Sequence, residues 1–221
     1  TAPSPAASCA TCASGSRAGE RATTSLPWDE SGWLEAVTAW IDRHVERTDD
    51  IELMLARPWS AVVRVPTAVD EAWFKEDPPP VAFEPELTAA LERRAPDLVP
   101  EVVAVEGPRL LTLDAGRRLR NVYADDAPGP EWEEVVQAYA ELQVELISAA
   151  DEALALGAPD RRPAALADLA AELPGWNTVT ETIARTAAEL GDAVPPTVVH
   201  EEATNGNVFV RDGRIRFIDW A

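Results

Sequence analysis

The residues most able to do chemistry lie near the end of the 221-residue chain. The carboxylate of Glu202 precedes the amide of Asn207 by five residues, and the carboxylate of Asp219 follows twelve residues after that amide. A carboxylate can accept the proton of a hydroxyl group, and amide and carboxylate oxygens are the hard ligands that Mg²⁺ prefers. This spacing indicates phosphoryl transfer to a hydroxyl, with Glu202 as the catalytic proton acceptor and with Asn207 and Asp219 as metal ligands.

Short β elements are predicted to position these three side chains. A β segment over Thr197–His200 leads into the loop, and two apolar runs at 208–210 and 215–218 follow it. The turn between the two runs contains Asp-Gly, a dipeptide typical of tight hairpins. The sequence therefore predicts a β-hairpin that carries Asp219 at its end.

Apolar periodicity predicts an α+β fold in which strands and helices separate along the chain. The first half reads as a helix, three strands, a proline linker at 78–80, a helix and two strands, over Trp28–Val45, Ile51–Leu55, Ser60–Val65, Glu71–Lys75, Pro85–Arg94, Glu101–Val105 and Arg109–Leu113. The second half is mainly helical, over Glu131–Leu156, 163–172 and 177–190. We predict a disordered tail over 1–26, a β-rich lobe over 27–114 and a helical lobe over 115–221, with a cleft near residue 114.

Two further stretches accompany the terminal motif. The letters R-P-W-S-A-V-V-R-V-P-T, followed by W-F-K, span 57–75, and L-L-T-L-D-A-G-R-R-L-R spans 110–120. With H-E-E-A-T-N-G-N at 200–207 and D-W at 219–220, they resemble the aminoglycoside phosphotransferase and choline kinase-like family, whose pattern is close to H-G-D-x-H-x-x-N, two strands and D-W. The resemblance covers about 28–221. It implies a protein kinase-like, two-lobed fold and ATP- and Mg²⁺-dependent transfer of the γ-phosphate to a small-molecule hydroxyl, such as that of an aminoglycoside or an amino alcohol.

The resemblance also implies residues that hold the nucleotide. Lys75, at the end of its strand, is expected to contact the ATP phosphates, and a glutamate of the next helix is expected to orient it. Glu84 is preferred over Glu86 because it shares a helical face with Leu87 and Leu91. The following proline disfavours a helical conformation at Glu84, so an N-cap position is an alternative.

The adenine ring is expected to meet the segment between the two lobes. By resemblance, Leu113, Asp114 and Ala115 supply backbone groups to it. The strand turn at Arg57–Ser60 is expected to cover the phosphates, since the sequence has no glycine-rich G-x-G-x-x-G loop.

Two positions depart from the family pattern. Glu202 stands where the family has Asp, and Thr204 stands where it has a second His. His200 is expected to hold the loop through backbone contacts, and Glu201 is expected to be a solvated neighbour. The chain stops two residues after Asp219, whereas the family continues with helices of the acceptor pocket, so the resemblance implies a truncated member with an unidentified acceptor.

Charge and composition exclude several classes of partner. The 19 basic and 39 acidic residues give a formal net charge of −20, which repels phosphate backbones and anionic lipid. We therefore expect no nucleic acid and no membrane as partner, and a cationic or neutral small molecule as acceptor. A general solubility adaptation would explain the same charge. No apolar run approaches the ~20 residues of a membrane span, and the N-terminus lacks a signal-peptide core, which predicts a cytoplasmic protein.

Three interpretations follow from the sequence. The first is the phosphotransferase. The second is a nucleotide-binding pseudoenzyme, which the residues at Glu202 and Thr204 favour. The third is a structural acidic protein, which leaves the pattern over 200–219 unexplained. The Cys9-x-x-Cys12 pair in the tail has no second ligand pair for zinc and no strand–helix context for redox chemistry, so two free thiols are predicted.

Overall fold

The computed structural model of the protein describes residues 25–125, 129–173, 175, 177–191 and 193–221. The tail predicted over 1–26, with its two cysteines, lies outside these residues except for positions 25 and 26. The first elements are a 3₁₀ turn at Pro27–Asp29 and helix α1 at Trp33–Ile41.

The single long helix predicted from residue 28 is wrong at its start. Gly32 precedes α1 with φ of +88°, a left-handed conformation that breaks the chain direction between the 3₁₀ turn and the helix. Within α1 the predicted apolar face is confirmed, since Trp33, Val37, Trp40 and Ile41 are buried.

Five antiparallel strands form the larger sheet, in the order β1-β2-β3-β5-β4. Their bounds agree with the five predicted strands within one or two residues: β1 Glu52–Arg57, β2 Ser60–Pro66, β3 Glu71–Glu76, β4 Val102–Glu106 and β5 Arg109–Leu113. Side chains alternate across β3, so Phe74 faces α1 and Lys75 faces the other side of the sheet.

Helix α2, at Glu84–Arg94, follows β3 after a 3₁₀ turn at Pro79–Val81. The predicted proline linker therefore contains one short turn of structure. Pro85 occupies the second helical position, where a missing N–H has no intrahelical partner to lose. This position lets Glu84 be the first residue of the helix.

A three-stranded sheet, in the order β6-β7-β8, occupies the second half of the chain. Its strands are β6 Arg117–Arg118, β7 Val208–Arg211 and β8 Arg214–Phe217. The predicted hairpin is confirmed, and its two turn residues, Asp212 and Gly213, both have positive φ. The strand predicted over 197–200 is wrong, because that segment joins no sheet among the described residues.

Five helices accompany this smaller sheet within the described residues: α3 Leu119–Ala124, α4 Trp132–Glu145, α5 Ala150–Ala155, α6 Pro163–Glu172 and α7 Asn177–Leu190. The helix predicted over 131–156 is divided by a 3₁₀ turn at Leu146–Ala149. The described helices include none that is both long enough and apolar enough to cross a membrane.

The buried apolar side chains form two clusters. The first lies between α1 and the five-stranded sheet and is built from Trp33, Val37, Trp40, Ile41, Ala61, Val63, Val65, Ala72, Phe74 and Leu111. The second joins α2, α4 and the terminal hairpin, and its largest members are Leu87, Leu91, Leu119, Leu142, Leu146, Phe217 and Trp220. Helix α2 thus lies between β3 and β4 in sequence and packs with the second half of the chain.

Candidate active site

Lys75 and Glu84 form a direct ion pair in which the ammonium donates to Glu84 Oε2. Phe83 is the N-cap of α2, so the alternative that Glu84 is itself the N-cap is wrong. Glu84 is only 1% exposed, whereas Glu86 is exposed. Of the two glutamates considered from the sequence, the structure brings Glu84 to the lysine.

Asp219 reaches the same ammonium from the end of the terminal hairpin. Its Oδ1 lies 2.5 Å from Lys75 Nζ, and its carboxylate is 46% exposed. The next residue closes the contact, because the Trp220 backbone N–H donates to Glu84 Oε1 at 3.2 Å. Asp219 has φ of +69°, a conformation that costs energy for a residue other than glycine and is concentrated at functional sites.

A third carboxylate, Asp77, lies beside Lys75 and was not predicted from the sequence. Its Oδ1 is 3.4 Å from Lys75 Nζ, the residue is 1% exposed, and neither carboxylate oxygen has a hydrogen bond among the described residues. The signal was available, because residues two apart at a strand end point to the same side. Asp77 directly follows β3, and its backbone N–H donates to Pro108 O at 3.0 Å.

The electrostatics of this cluster follow from burial and from the three acids. Burial lowers the pKa of Lys75, but Glu84, Asp77 and Asp219 outweigh burial, so the pKa is raised and the lysine is charged at neutral pH. Burial raises the pKa of Asp77 to about 8, against the lowering effect of Lys75 and with a further increase from Glu84. The ammonium is thus a fixed cation between one exposed and two buried carboxyl groups.

His200 organises the loop that contains Glu202. The Glu202 backbone N–H donates to His200 Nδ1 at 3.1 Å, so Nε2 carries the proton and donates to Ile218 O at 2.7 Å. Burial lowers the pKa of this histidine, which favours the neutral ring. These backbone contacts agree with the predicted role of His200, and they connect the start of the loop to the residue before Asp219.

Asn207 joins the two ends of the loop. Its side-chain amide nitrogen donates to the backbone carbonyl of Glu202 at 3.2 Å, and its backbone carbonyl accepts from the Ile218 backbone N–H at 3.1 Å. The amide oxygen of Asn207 makes no hydrogen bond among the described residues, and one oxygen of Asp219 is likewise not engaged by Lys75. The Glu202 side chain is exposed.

These donors suit a hard divalent cation. An amide oxygen and a carboxylate oxygen, with water in the remaining positions, are a set that Mg²⁺ accepts. Within the described part of the chain no group of three His, Cys, Asp or Glu side chains is placed to hold a metal by itself. A cation at Asn207 and Asp219 would therefore need ligands from water or substrate.

Several backbone groups of the segment predicted to meet adenine form hydrogen bonds within the protein. The N–H of Leu113 donates to Glu101 O at 2.9 Å, and the N–H of Asp114 donates to Glu71 O at 3.0 Å. The carbonyl of Asp114 accepts from Arg211 at 2.7 Å.

Asp114 and Ala115 differ in the hydrogen bonds of their remaining groups. The Asp114 carboxylate accepts from Trp73 Nε1 at 2.9 Å and from the N–H of Gly116 at 3.0 Å. Ala115 makes no hydrogen bond with any described residue. The backbone N–H and carbonyl of Asp114 are thus bonded within the protein, and backbone contacts from this segment to adenine stay a prediction.

Known proteins resemble this chain in structure. The apoenzyme of macrolide 2′-phosphotransferase MphH from Brachybacterium faecium aligns with a TM-score of 0.50 and 19% identity, over 84% of this chain and 71% of that one. An ethanolamine kinase from Plasmodium vivax aligns with a TM-score of 0.53 and 13% identity, over 82% of this chain and 58% of that one. No family model and no curated protein matches the sequence.

These alignments establish the fold. The chain has the fold of kinase-like small-molecule phosphotransferases. The alignments cover 84% and 82% of this chain, and the described chain brings Lys75 together with the carboxylates of Asp77, Glu84 and Asp219.

Proposed function

We propose that the protein is an ATP- and Mg²⁺-dependent phosphotransferase that moves the γ-phosphate to a hydroxyl group of a small molecule. The observation that carries this proposal is the meeting of Lys75 with Glu84 and Asp219, which come from β3, the start of α2 and the end of the terminal hairpin. The fold shared with small-molecule phosphotransferases supports it. Fold alone does not define chemistry, so the site carries the argument.

In this proposal the nucleotide lies between two lobes, over 27–114 and 115–221. The two separate apolar clusters support such a division, and Lys75–Asp219 and Glu84–Trp220 are polar contacts between the two parts. Lys75 would bind phosphate oxygens, and Glu84 would keep the ammonium in place as Asp219 changes partner. Ala115 and Leu113 would receive the adenine ring.

Asn207 and Asp219 are the residues that would hold Mg²⁺. Bound there, the ion would supply positive charge that offsets the charge of the nucleotide phosphates. The chain's own contribution is positional, because the Ile218 backbone N–H donates to the Asn207 backbone carbonyl and joins the residue before β7 to the segment after β8. Asp219 has a positive φ, and its carboxylate contacts Lys75.

Glu202 would accept the proton of the acceptor hydroxyl. Its backbone is fixed by three hydrogen bonds, from Asn207 and Thr204 to its carbonyl and from its own N–H to His200. The exposed side chain leaves the carboxylate free to meet an acceptor. The net charge of −20 supports a cationic or neutral acceptor.

Two variants of the full chain test the proposal. ATP consumption is measured against a panel of aminoglycosides and amino alcohols, with ATP and Mg²⁺ affinities measured separately. Asp219→Asn is expected to weaken Mg²⁺-dependent nucleotide binding, and Glu202→Gln to lower kcat by about 10²- to 10⁴-fold with little change in ATP affinity. Glu201→Gln is the matched control, because Glu201 is the exposed neighbour whose carboxylate pairs with Arg161 at 3.1 Å.

The alternative function is a nucleotide-binding pseudoenzyme, which Glu202 and Thr204 favour by their departure from the family pattern. Glu202→Asp separates the two, since it restores the shorter acid and is expected to keep or raise turnover in an enzyme. Nucleotide binding without turnover of any panel member would support the pseudoenzyme. Nucleotide affinity that does not respond to Mg²⁺ or to Asp219→Asn would contradict the proposed site.

A further inference from the structure

Two arginines beside the terminal loop form no ion pair with a described carboxylate. Among the described residues, neither Arg118 nor Arg120 donates a side-chain hydrogen bond or forms an ion pair, whereas most other arginines do both. The contrast is sharp within one segment, because Arg117 pairs with Asp125 at 2.6 Å. Because the chain has 39 acidic residues, two neighbouring guanidinium groups without an ion pair are unexpected.

Arg118 contacts the terminal hairpin. Its guanidinium carbon is 5.4 Å from the centre of the Phe209 ring, a cation–π distance that fixes the group on β7. Burial and the like charge of Arg120 lower the pKa of Arg118, and Asp219 opposes them. Arg118 is therefore close enough to Arg120 for repulsion and close enough to Asp219 for attraction.

Arg120 lies along the loop itself. Its backbone N–H donates to Asn205 O at 3.0 Å, and its guanidinium covers Gly206. A Cβ at Gly206 would lie 3.2 Å from Arg120 Cζ and closer still to a terminal nitrogen. The absence of a side chain at 206 thus makes room for the cation, one residue before Asn207.

We propose that Arg118 and Arg120 form a phosphate subsite beside the loop that binds the phosphate group of the phosphorylated product. Guanidinium groups bind phosphate through paired, charge-assisted hydrogen bonds, and a dianion between them would relieve their mutual repulsion. The inference rests on the proposed function, which is what would form a phosphate ester next to Glu202 and Asp219. Binding itself can be tested without turnover.

Inorganic phosphate is the probe, titrated into the full chain with saturating Mg²⁺ and ADP and followed by calorimetry. We expect Arg118→Gln and Arg120→Gln each to weaken phosphate binding at least about tenfold and to leave ADP affinity within about twofold. Arg117→Gln is the matched control and should change neither affinity. Arg118→Lys keeps the charge but loses the paired geometry, and is expected to retain part of the binding.

Each alternative outcome is decisive. Phosphate affinity that is equal in the parent and in both glutamine variants, or that falls equally in Arg117→Gln, overturns the subsite. A parallel loss of ADP and phosphate affinity overturns the product assignment and indicates that the two arginines bind the nucleotide phosphates. Turnover without phosphate binding also overturns the subsite. Phosphate binding without turnover supports the subsite while contradicting the proposed function.

Discussion

At the scale of single residues, Asp77 is a buried acid whose raised pKa makes stability depend on pH. It lies 3.4 Å from Lys75 and next to Glu84, and burial raises its pKa to about 8. An unfolded chain releases this proton near pH 4, so between about pH 4 and pH 8 the folded state holds a proton that the unfolded state has lost. The stability that this group supports is therefore lost as the pH rises towards 8, by up to about 1.4 kcal/mol per pH unit.

Asp77→Asn should remove this dependence. Asparagine has the same shape and no proton to lose, so the stability of the variant relative to the parent is expected to increase between pH 5 and pH 8, with a slope of up to about 1.4 kcal/mol per unit. Urea unfolding of both proteins at several pH values measures it. Asp212→Asn is the control, since Asp212 is exposed in the hairpin turn and Asn also tolerates its positive φ. Stability curves that stay parallel for Asp77→Asn and the parent would contradict the raised pKa.

The sequence predicted one of the two buried carboxylates beside Lys75. The family resemblance implied that a glutamate of the next helix meets Lys75, the helical face shared with Leu87 and Leu91 favoured Glu84, and the structure brings the two together. Asp77 was overlooked because the prolines that follow it suggest a linker, although strand alternation places it on the same side as Lys75. The roles of these residues towards a nucleotide stay predictions.

At the scale of elements, the join between β6 and β7 depends on one close backbone approach. Gly116 has φ of +102°, and a Cβ there would lie 2.6 Å from Arg211 Cβ and 2.7 Å from the Val210 carbonyl carbon. Neither neighbour can move freely, since Val210 pairs with Arg117 in the sheet. The glycine sets how closely the segment after β5 can pack on the hairpin.

Gly116→Ala is therefore expected to destabilise the protein by about 2–4 kcal/mol, from the strained φ together with the backbone clash. Gly107→Ala separates the two causes, because Gly107 also has positive φ, at +58°, but has no atom within 4 Å of the added Cβ. That control should cost only about 1–2 kcal/mol. Urea denaturation measures both, and equal losses would show that the clash with β7 is relieved at no cost.

Elements were predictable where one face is apolar over several turns or strands. The five strands of the large sheet, the terminal hairpin, and the helices at 163–172 and 177–190 carry that pattern and were predicted closely. The two-residue β6 is too short for any periodicity, and the break at Leu146–Ala149 lies inside an apolar pattern that continues through it. The segment at 197–200 was predicted as a strand, but its partners lie on α4. Thr197 Oγ1 donates to Gln143 O, and the His200 backbone N–H donates to the Tyr139 hydroxyl.

At the scale of the whole molecule, cations join the end of the chain to its first half. With 20 excess negative charges the two halves repel, so the few basic residues that form ion pairs between them matter more. Lys75 bonds to Asp219, and Arg211 of β7 pairs with Asp70 and donates to Asp114 O at 2.7 Å. The last of these contacts fixes the segment that follows β5.

Arg211→Gln should loosen this connection. The loss of a charge-assisted bond to a half-buried carbonyl and of the Asp70 ion pair is expected to lower stability by about 1–3 kcal/mol and to speed hydrogen exchange at Gly116. Arg214→Gln is the matched control on the same hairpin, since its pair with Asp97 is exposed on both sides and should contribute less than about 1 kcal/mol. Equal effects of the two substitutions would show that Arg211 is only another surface cation.

The Arg120 guanidinium occupies the space that a side chain at position 206 would take, and this has an evolutionary consequence. The atoms that an alanine at 206 would meet belong to the end of the flexible Arg120 side chain, with the Thr204 hydroxyl 3.3 Å away. Such a mutation would displace a guanidinium more readily than it would unfold the loop. Selection could therefore retune the charge beside Asn207 through a residue that carries no charge, so natural variation in ligand preference should be sought at Gly206 as well as among the arginines.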